Sequence, residues 1–196
     1  VLCTFEKNGK PLWLKLAYEE ARGWASWDEA NALPGTVEAM VEDLITRRLL
    51  ESENHPRAFA TRALAYLTAG RFGLSDEELD HALATDTQVK AEFEAQNAKT
   101  GQKWEPDMNR PGLPPILWSR LYFDLQPYLA TAQVDGTIVY RWFHREFKEE
   151  ISKRYLTEEE DKRAMHGHLA GTFFALAPHG DDLFRYTDAS GTQQPA

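Results

Sequence analysis

The sequence predicts a mainly α chain: a helical subdomain followed by a winged helix-turn-helix domain with a two-stranded β wing. Three observations carry that expectation. Apolar residues recur at helical spacing in successive segments up to Leu125. Asp135-Gly136 then stands between alternating apolar residues, the mark of a two-residue type I′ hairpin, whose central positions need positive φ. Helical spacing resumes directly afterwards at Phe147, Ile151 and Tyr155.

The first helix is expected to open at Pro11, since proline suits the first helical position and Asn8-Gly9 ahead of it is turn-like, and to end near Gly23. A loop with Trp24, Trp27 and Pro34-Gly35 follows. Thr36 can cap a long second helix, in which Val37, Met40, Val41, Leu44, Ile45 and Leu49 form one apolar stripe while Glu38, Glu42 and Arg47 face out. His55-Pro56 marks a boundary, and Ala58 to Ala69 reads as a helix that stops before Gly70. Ser75-Asp76-Glu77-Glu78 is a capping box, because the Ser75 hydroxyl can accept from the amide three residues on while the Glu78 carboxylate reaches back. Residues 86–111 are polar and read as a helical stub with a loop, an insertion.

Pro114-Pro115 opens a helix through Leu117, Leu121 and Leu125, ending before Pro127. Tyr128 to Gln133 is one strand, and the strand after the turn carries Ile138, Tyr140 and Trp142 on one face. The next helix places His144 at its N-terminus, where unpaired amides and the macrodipole favour an anion. Thr157-Glu158-Glu159-Glu160 is a further capping box, opening a last helix with Met165, Leu169, Phe173 and Phe174. Three helices, a two-stranded wing and another helix make the order of a winged helix-turn-helix. Three parts are expected: a helical domain over 1–54, a winged helix over 55–156, and a connector helix and linker over 157–196.

Bulk properties restrict the function. The chain has 196 residues, 42% of them hydrophobic, enough for a packed core. A net charge of -9 opposes broad attraction to nucleic acid or an anionic membrane. The lone cysteine, Cys3, excludes an internal disulfide and a cysteine-based zinc site. No apolar run reaches the roughly 20 residues that span a bilayer, so no membrane association and a cytoplasmic location are expected. The abrupt opening Val1-Leu2-Cys3-Thr4-Phe5 and the linker-like Ser190 to Ala196 are read as the ends of a segment of a longer protein.

Several constellations read as structure. His166, His168 and His179 could suggest a metal, but positions two apart on a helix point in different directions, and a solvated polar face is the better reading. Trp13, Trp118 and Trp142 read as core, and no Ser, His and Asp set has a nucleophile's setting. As a DNA-recognition helix, Leu113 to Leu125 offers Arg120 against Asp124, too little for reading base edges and phosphates. Leu117, Trp118, Leu121, Tyr122 and Phe123 nearly encircle it.

Gly9-Lys10-Pro11-Leu12-Trp13-Leu14 is similar to the Gly-x-Pro-Leu that opens a helix in the helical domain of the STAND class of P-loop ATPases, the NACHT and NB-ARC proteins. Phe143-His144-Arg145-Glu146-Phe147 resembles the histidine that ends their winged helix. Gly73-Leu74-Ser75 with Glu77-Glu78-Leu79, and Leu113-Pro114-Pro115 with Trp118 to Leu121, also look like NACHT winged-helix segments. The resemblance covers roughly residues 5 to 175.

It implies that Gly9, Pro11 and His144 are cofactor-binding, Pro11 packing against the adenine and His144 contacting the β-phosphate of ADP, with ADP or ATP shared with a P-loop domain. Proline offers a rigid apolar face to a base, and imidazole can donate to an anion. Nowhere does the chain contain Gly-x-x-x-x-Gly-Lys followed by Ser or Thr, so catalysis of ATP hydrolysis by this segment alone is not expected. The implied role is regulatory: holding ADP at rest and rearranging on exchange so that the parent oligomerises. Its partners would be the parent's own ATPase domain and a C-terminal repeat sensor, with defence signalling a plausible setting. The alternatives from other classes are a DNA-binding winged-helix regulator and a plain protein-interaction module.

Overall fold

The computed structural model describes residues 10–24, 33–51, 55–100, 113–134, 136–176, 185–187 and 193–195. Gly9, Trp27, Asp135 and His179 lie outside the described residues.

Helix α1 spans Pro11–Arg22, with proline in its first turn and Gly23 at its C-cap. Leu12, Trp13, Leu16 and Ala17 are its buried stripe, and the Trp13 indole donates to the Pro34 carbonyl at 2.8 Å. Helix α2, Val37–Asp43, is capped as expected by the Thr36 hydroxyl, which accepts from the Ala39 amide at 3.2 Å. The expected single long helix changes its winding here. Residues Leu44–Leu50 form a π-helix, and the Glu51 amide reaches back five residues to the Thr46 carbonyl at 2.9 Å. The wider turn keeps Leu44, Ile45 and Leu49 buried and leaves Arg48 able to meet Asp124.

Helix α3, Arg57–Ala69, is the centre of the molecule, with nine consecutive or near-consecutive positions from Phe59 to Ala69 buried. That explains its Ala-rich sequence: a helix surrounded on most sides needs small residues where neighbours approach closely. Strand β1 (Leu74–Ser75) leads into α4 (Asp76–Thr85) through the expected capping box. The Ser75 amide donates to Glu78 at 2.7 Å, and the Glu78 amide donates to the Ser75 hydroxyl at 3.2 Å.

The stretch read as a stub and insertion contains a full helix, α5 (Thr87–Thr100). Two apolar residues four apart, Val89 and Phe93, dock it on the core, and Asp86 caps it by accepting from the Gln88 and Val89 amides at 2.8 and 3.2 Å. So sparse an apolar stripe is a weak periodic signal, and tertiary docking overrides it.

Helix α6 (Pro115–Leu125) buries Leu121 and Leu125 and runs through a 3-10 turn, Gln126–Tyr128, into β2 (Leu129–Val134). Strand β3 (Thr137–Trp142) returns antiparallel, with Val134 opposite Thr137, the register of a two-residue loop. Gly136 has the positive φ of 82° that such a turn requires. The sheet has three strands rather than the two expected, in the order β1-β3-β2, because Leu74 and Ser75 pair with Tyr140 and Val139. Ile138 also departs from the expected single face: it is 55% exposed at the wing tip while Tyr140 and Val139 are buried. The end of the hairpin overhangs the core.

Helix α7 (Arg145–Tyr155) buries Phe147 and Ile151, and α8 (Glu159–Leu176) buries Met165, Leu169 and Thr172. The second expected capping box does not form. The Thr157 hydroxyl instead donates to the Lys153 carbonyl at 2.6 Å, closing α7, and α8 starts two residues later. In the region expected to be a linker, Arg185–Thr187 (β4) and Gln193–Pro195 (β5) pair antiparallel. One hydrophobic cluster runs from Leu12 in α1 to Leu169 in α8, with members on both sides of the boundary expected near residue 54. No helix among the described residues is long and apolar enough to cross a membrane.

Candidate functional site

His144 is the N-cap of α7, with extended backbone (φ -119°, ψ 144°) and no side-chain capping hydrogen bond. Two features of the local sequence put it there. The Phe143 amide is tied to the Tyr128 carbonyl at 2.9 Å, which ends the sheet. Phe147, one turn on, is then drawn into the core, where Trp142 stacks on it at 5.5 Å with planes 9° apart and Tyr128 lies at 5.1 Å. Trp142 is itself anchored, its indole donating to the Thr68 hydroxyl at 2.9 Å. The strand and the helix are thus both fixed, and His144 lies at the bend between them, half-buried.

The first amides of α7 have no acceptors within the helix, and Glu146 in that first turn complements the dipole. Pro11 is exposed at the opening of α1. Leu14 and Tyr18, more than half exposed, continue its face along the helix. The two motifs meet through a pair of neighbours. The Lys15 ammonium, one turn after Pro11, lies 4.3 Å from the centre of the Phe143 ring, and that ring meets the His144 imidazole at 4.6 Å with planes 79° apart. Neither Lys15 nor Phe143 is among the site residues expected from the sequence. The available signal was their spacing: Lys15 follows Pro11 by four residues, hence on the same helix face, and Phe143 adjoins His144.

Other polar clusters hold elements together. Asp124 on α6 accepts from the buried His55 imidazole at 2.8 Å and from Arg48 at 3.1 Å. Burial alone would raise the Asp124 carboxyl, but His55 and Arg48 hold it below the usual carboxylate range. Trp118 and Tyr140 both donate to Asp76, at 2.6 and 3.3 Å, within an aromatic cluster that includes Tyr122. Burial, with Asp76 beside it, pushes the Tyr140 hydroxyl up to about 12. His168 packs on Tyr66 at 5.3 Å and donates to the Ala82 carbonyl at 2.9 Å, a structural role. No group of three metal-ligating side chains occurs among the described residues.

Among the described residues, open grooves lie away from His144. One of about 460 Å³ runs between the wing and α8, past Phe72, Val139, Leu169 and Phe173. Another, about 580 Å³, follows the outer face of α6 along Ile116, Ser119, Arg120 and Phe123. Phe123 is 73% exposed, so the expected apolar girdle of this helix is open on one side.

A family model described as "NWD1-like, winged helix-turn-helix domain" matches residues 29–163, from ahead of α2 to the start of α8. Human NACHT domain- and WD repeat-containing protein 1 is 36% identical over 166 residues, 84% of this chain and 10% of the relative. Its mouse counterpart is 35% identical over 167 residues, with the same coverage. Human NACHT and WD repeat domain-containing protein 2 is 29% identical over 168 residues, 85% of this chain and 9% of the relative. The chain spans about a tenth of the length of these curated relatives. No solved structure matches it. A wing between α6 and α7, a NACHT-like motif order and a family match over most of the chain agree, and the chain belongs to the NWD1-like winged helix-turn-helix domain family.

Proposed function

We propose that this segment is the nucleotide-sensing, regulatory part of a STAND-class NACHT ATPase. At rest, Gly9 and Pro11 border the adenine and His144 donates to the β-phosphate of ADP. The phosphate-binding loop and the magnesium-binding acids belong to a P-loop domain elsewhere in the parent protein. Exchange of ADP for ATP releases the winged helix, permits oligomerisation and relays a signal from a C-terminal repeat sensor. The segment itself catalyses nothing. Its helical part ends near residue 54, its winged helix near 156, and the connector follows.

One observation carries this reading. The His144 side chain makes no capping bond, is only half-buried, and touches the ring that Lys15 of the Pro11 helix covers. An imidazole so placed is free to donate to an anion shared with a neighbouring domain. The names of the relatives, which pair NACHT domains with WD repeats, support an ATPase domain and a repeat region as partners within one chain. In the full-length protein loaded with a fluorescent ADP analogue, His144→Ala is expected to speed release about tenfold or more, the weight of one charge-assisted hydrogen bond. Basal activity rises with it. Unchanged release together with an equally quiet variant would refute the assignment.

A further inference from the structure

Three side chains from two distant parts of the chain meet where α1 approaches the β3–α7 junction. Lys15 covers one face of the Phe143 ring, and that ring contacts the His144 imidazole in a T-shaped arrangement. The Phe143 backbone is pinned to Tyr128, so the remaining freedom of this residue lies in its side chain. Phe143 is 55% exposed, and an exposed ring with no partner on its face has little to hold one rotamer. The ammonium supplies that partner, since no carboxylate among the described residues forms an ion pair with Lys15 and a ring face attracts a cation.

We infer that Lys15 is a positioning residue for His144: by clamping the Phe143 ring it fixes the imidazole in the orientation that meets the phosphates of a nucleoside diphosphate. The inference rests on the nucleotide reading for the ligand, though not for the clamp itself. It adds a coupling. Pro11 and Lys15 are one turn apart on α1, so a movement of α1 away from the wing withdraws the base contact and releases His144 in the same step.

Two measurements test it. In this chain, proton NMR reads the ring-current shift that Phe143 imposes on the His144 imidazole protons. Lys15→Met should move those resonances towards their positions in Phe143→Leu, and Lys15→Arg, which keeps a cation over the ring, should restore them. In the full-length protein, Lys15→Met should speed release of the ADP analogue about two- to fivefold, the weight of one exposed cation–π contact, with Lys15→Arg close to the parent rate. Imidazole resonances that stay put in Lys15→Met overturn the clamp, whatever the nucleotide does. Should His144→Ala speed release while Lys15→Met leaves it unchanged, the clamp has no bearing on the ligand and the inference falls alone. If His144→Ala leaves release unchanged, the nucleotide reading falls, and the NMR shift decides the clamp separately.

Discussion

Asp86 stands in a stretch whose polarity suggests a surface loop, yet its side chain is 1% exposed and charged. It accepts from Arg62 and from the Tyr66 hydroxyl, each at 2.5 Å, and caps α5 with its other oxygen. Burial pushes this carboxyl up, but the Tyr66 hydroxyl and the Arg62 guanidinium outweigh it and hold it below the usual carboxylate range. Burial and the adjacent carboxylate push the Tyr66 hydroxyl far above its ordinary value in turn. A depressed carboxylate stabilises the fold fully above its unfolded value of about 4, and that contribution is lost as pH falls through the lower folded value. Asp86→Asn should therefore cost about 3 kcal/mol near neutrality, as expected for breaking a buried pair. Urea denaturation across a series of pH values should show the parent chain losing stability more steeply than the variant below about pH 4. Equal slopes would mean that Asp86 does not carry the charge. Nothing at the sequence level marks the burial of this aspartate, because its partners Tyr66 and Arg62 lie 20 and 24 residues away.

At the scale of elements, the winged helix depends on how β1 is delivered to the sheet. Gly73 has φ +101°, and a Cβ there would lie 2.7 Å from the Tyr140 carbonyl oxygen. Both the conformation and the close approach require glycine. Gly73→Ala should destabilise the chain by about 2 kcal/mol or more, read as a lower urea midpoint with unchanged slope. A midpoint within experimental scatter of the parent would show that β1 can lift off without cost. The capping box beside it and the Pro11, Thr36 and hairpin signals were legible from sequence because each involves residues a few positions apart, where backbone chemistry acts alone. The third strand, the π-helical turn and α5 were not. A two-residue strand has no periodicity, and α5 is held by what it docks against rather than by its own pattern.

For the whole molecule, Asp124 joins the end of the π-helix, through Arg48, to the loop before α3, through His55, and so ties α6 down. This spends the acid that the sequence sets beside Arg120 and leaves Ile116, Ser119, Arg120 and Phe123 facing outward. Such a face carries one cation between two exposed apolar residues. A gel-shift titration with random duplex DNA at low salt should accordingly detect no salt-sensitive binding; a complex that dissolves as salt rises would favour a groove-binding role for α6 instead. The order of helices, wing and helix, the NACHT resemblance and the candidates Pro11 and His144 follow from the sequence by itself, since they rest on short-range periodicity, turn chemistry and local motifs. That His144 stays half-buried and that α1 reaches it through Lys15 and Phe143 was decided only by the tertiary structure, as was the joining of α3 to α5 by Asp86 and of α8 to α3 and α4 by His168. Contacts between residues far apart in the chain depend on how every intervening element packs, and no local pattern encodes that.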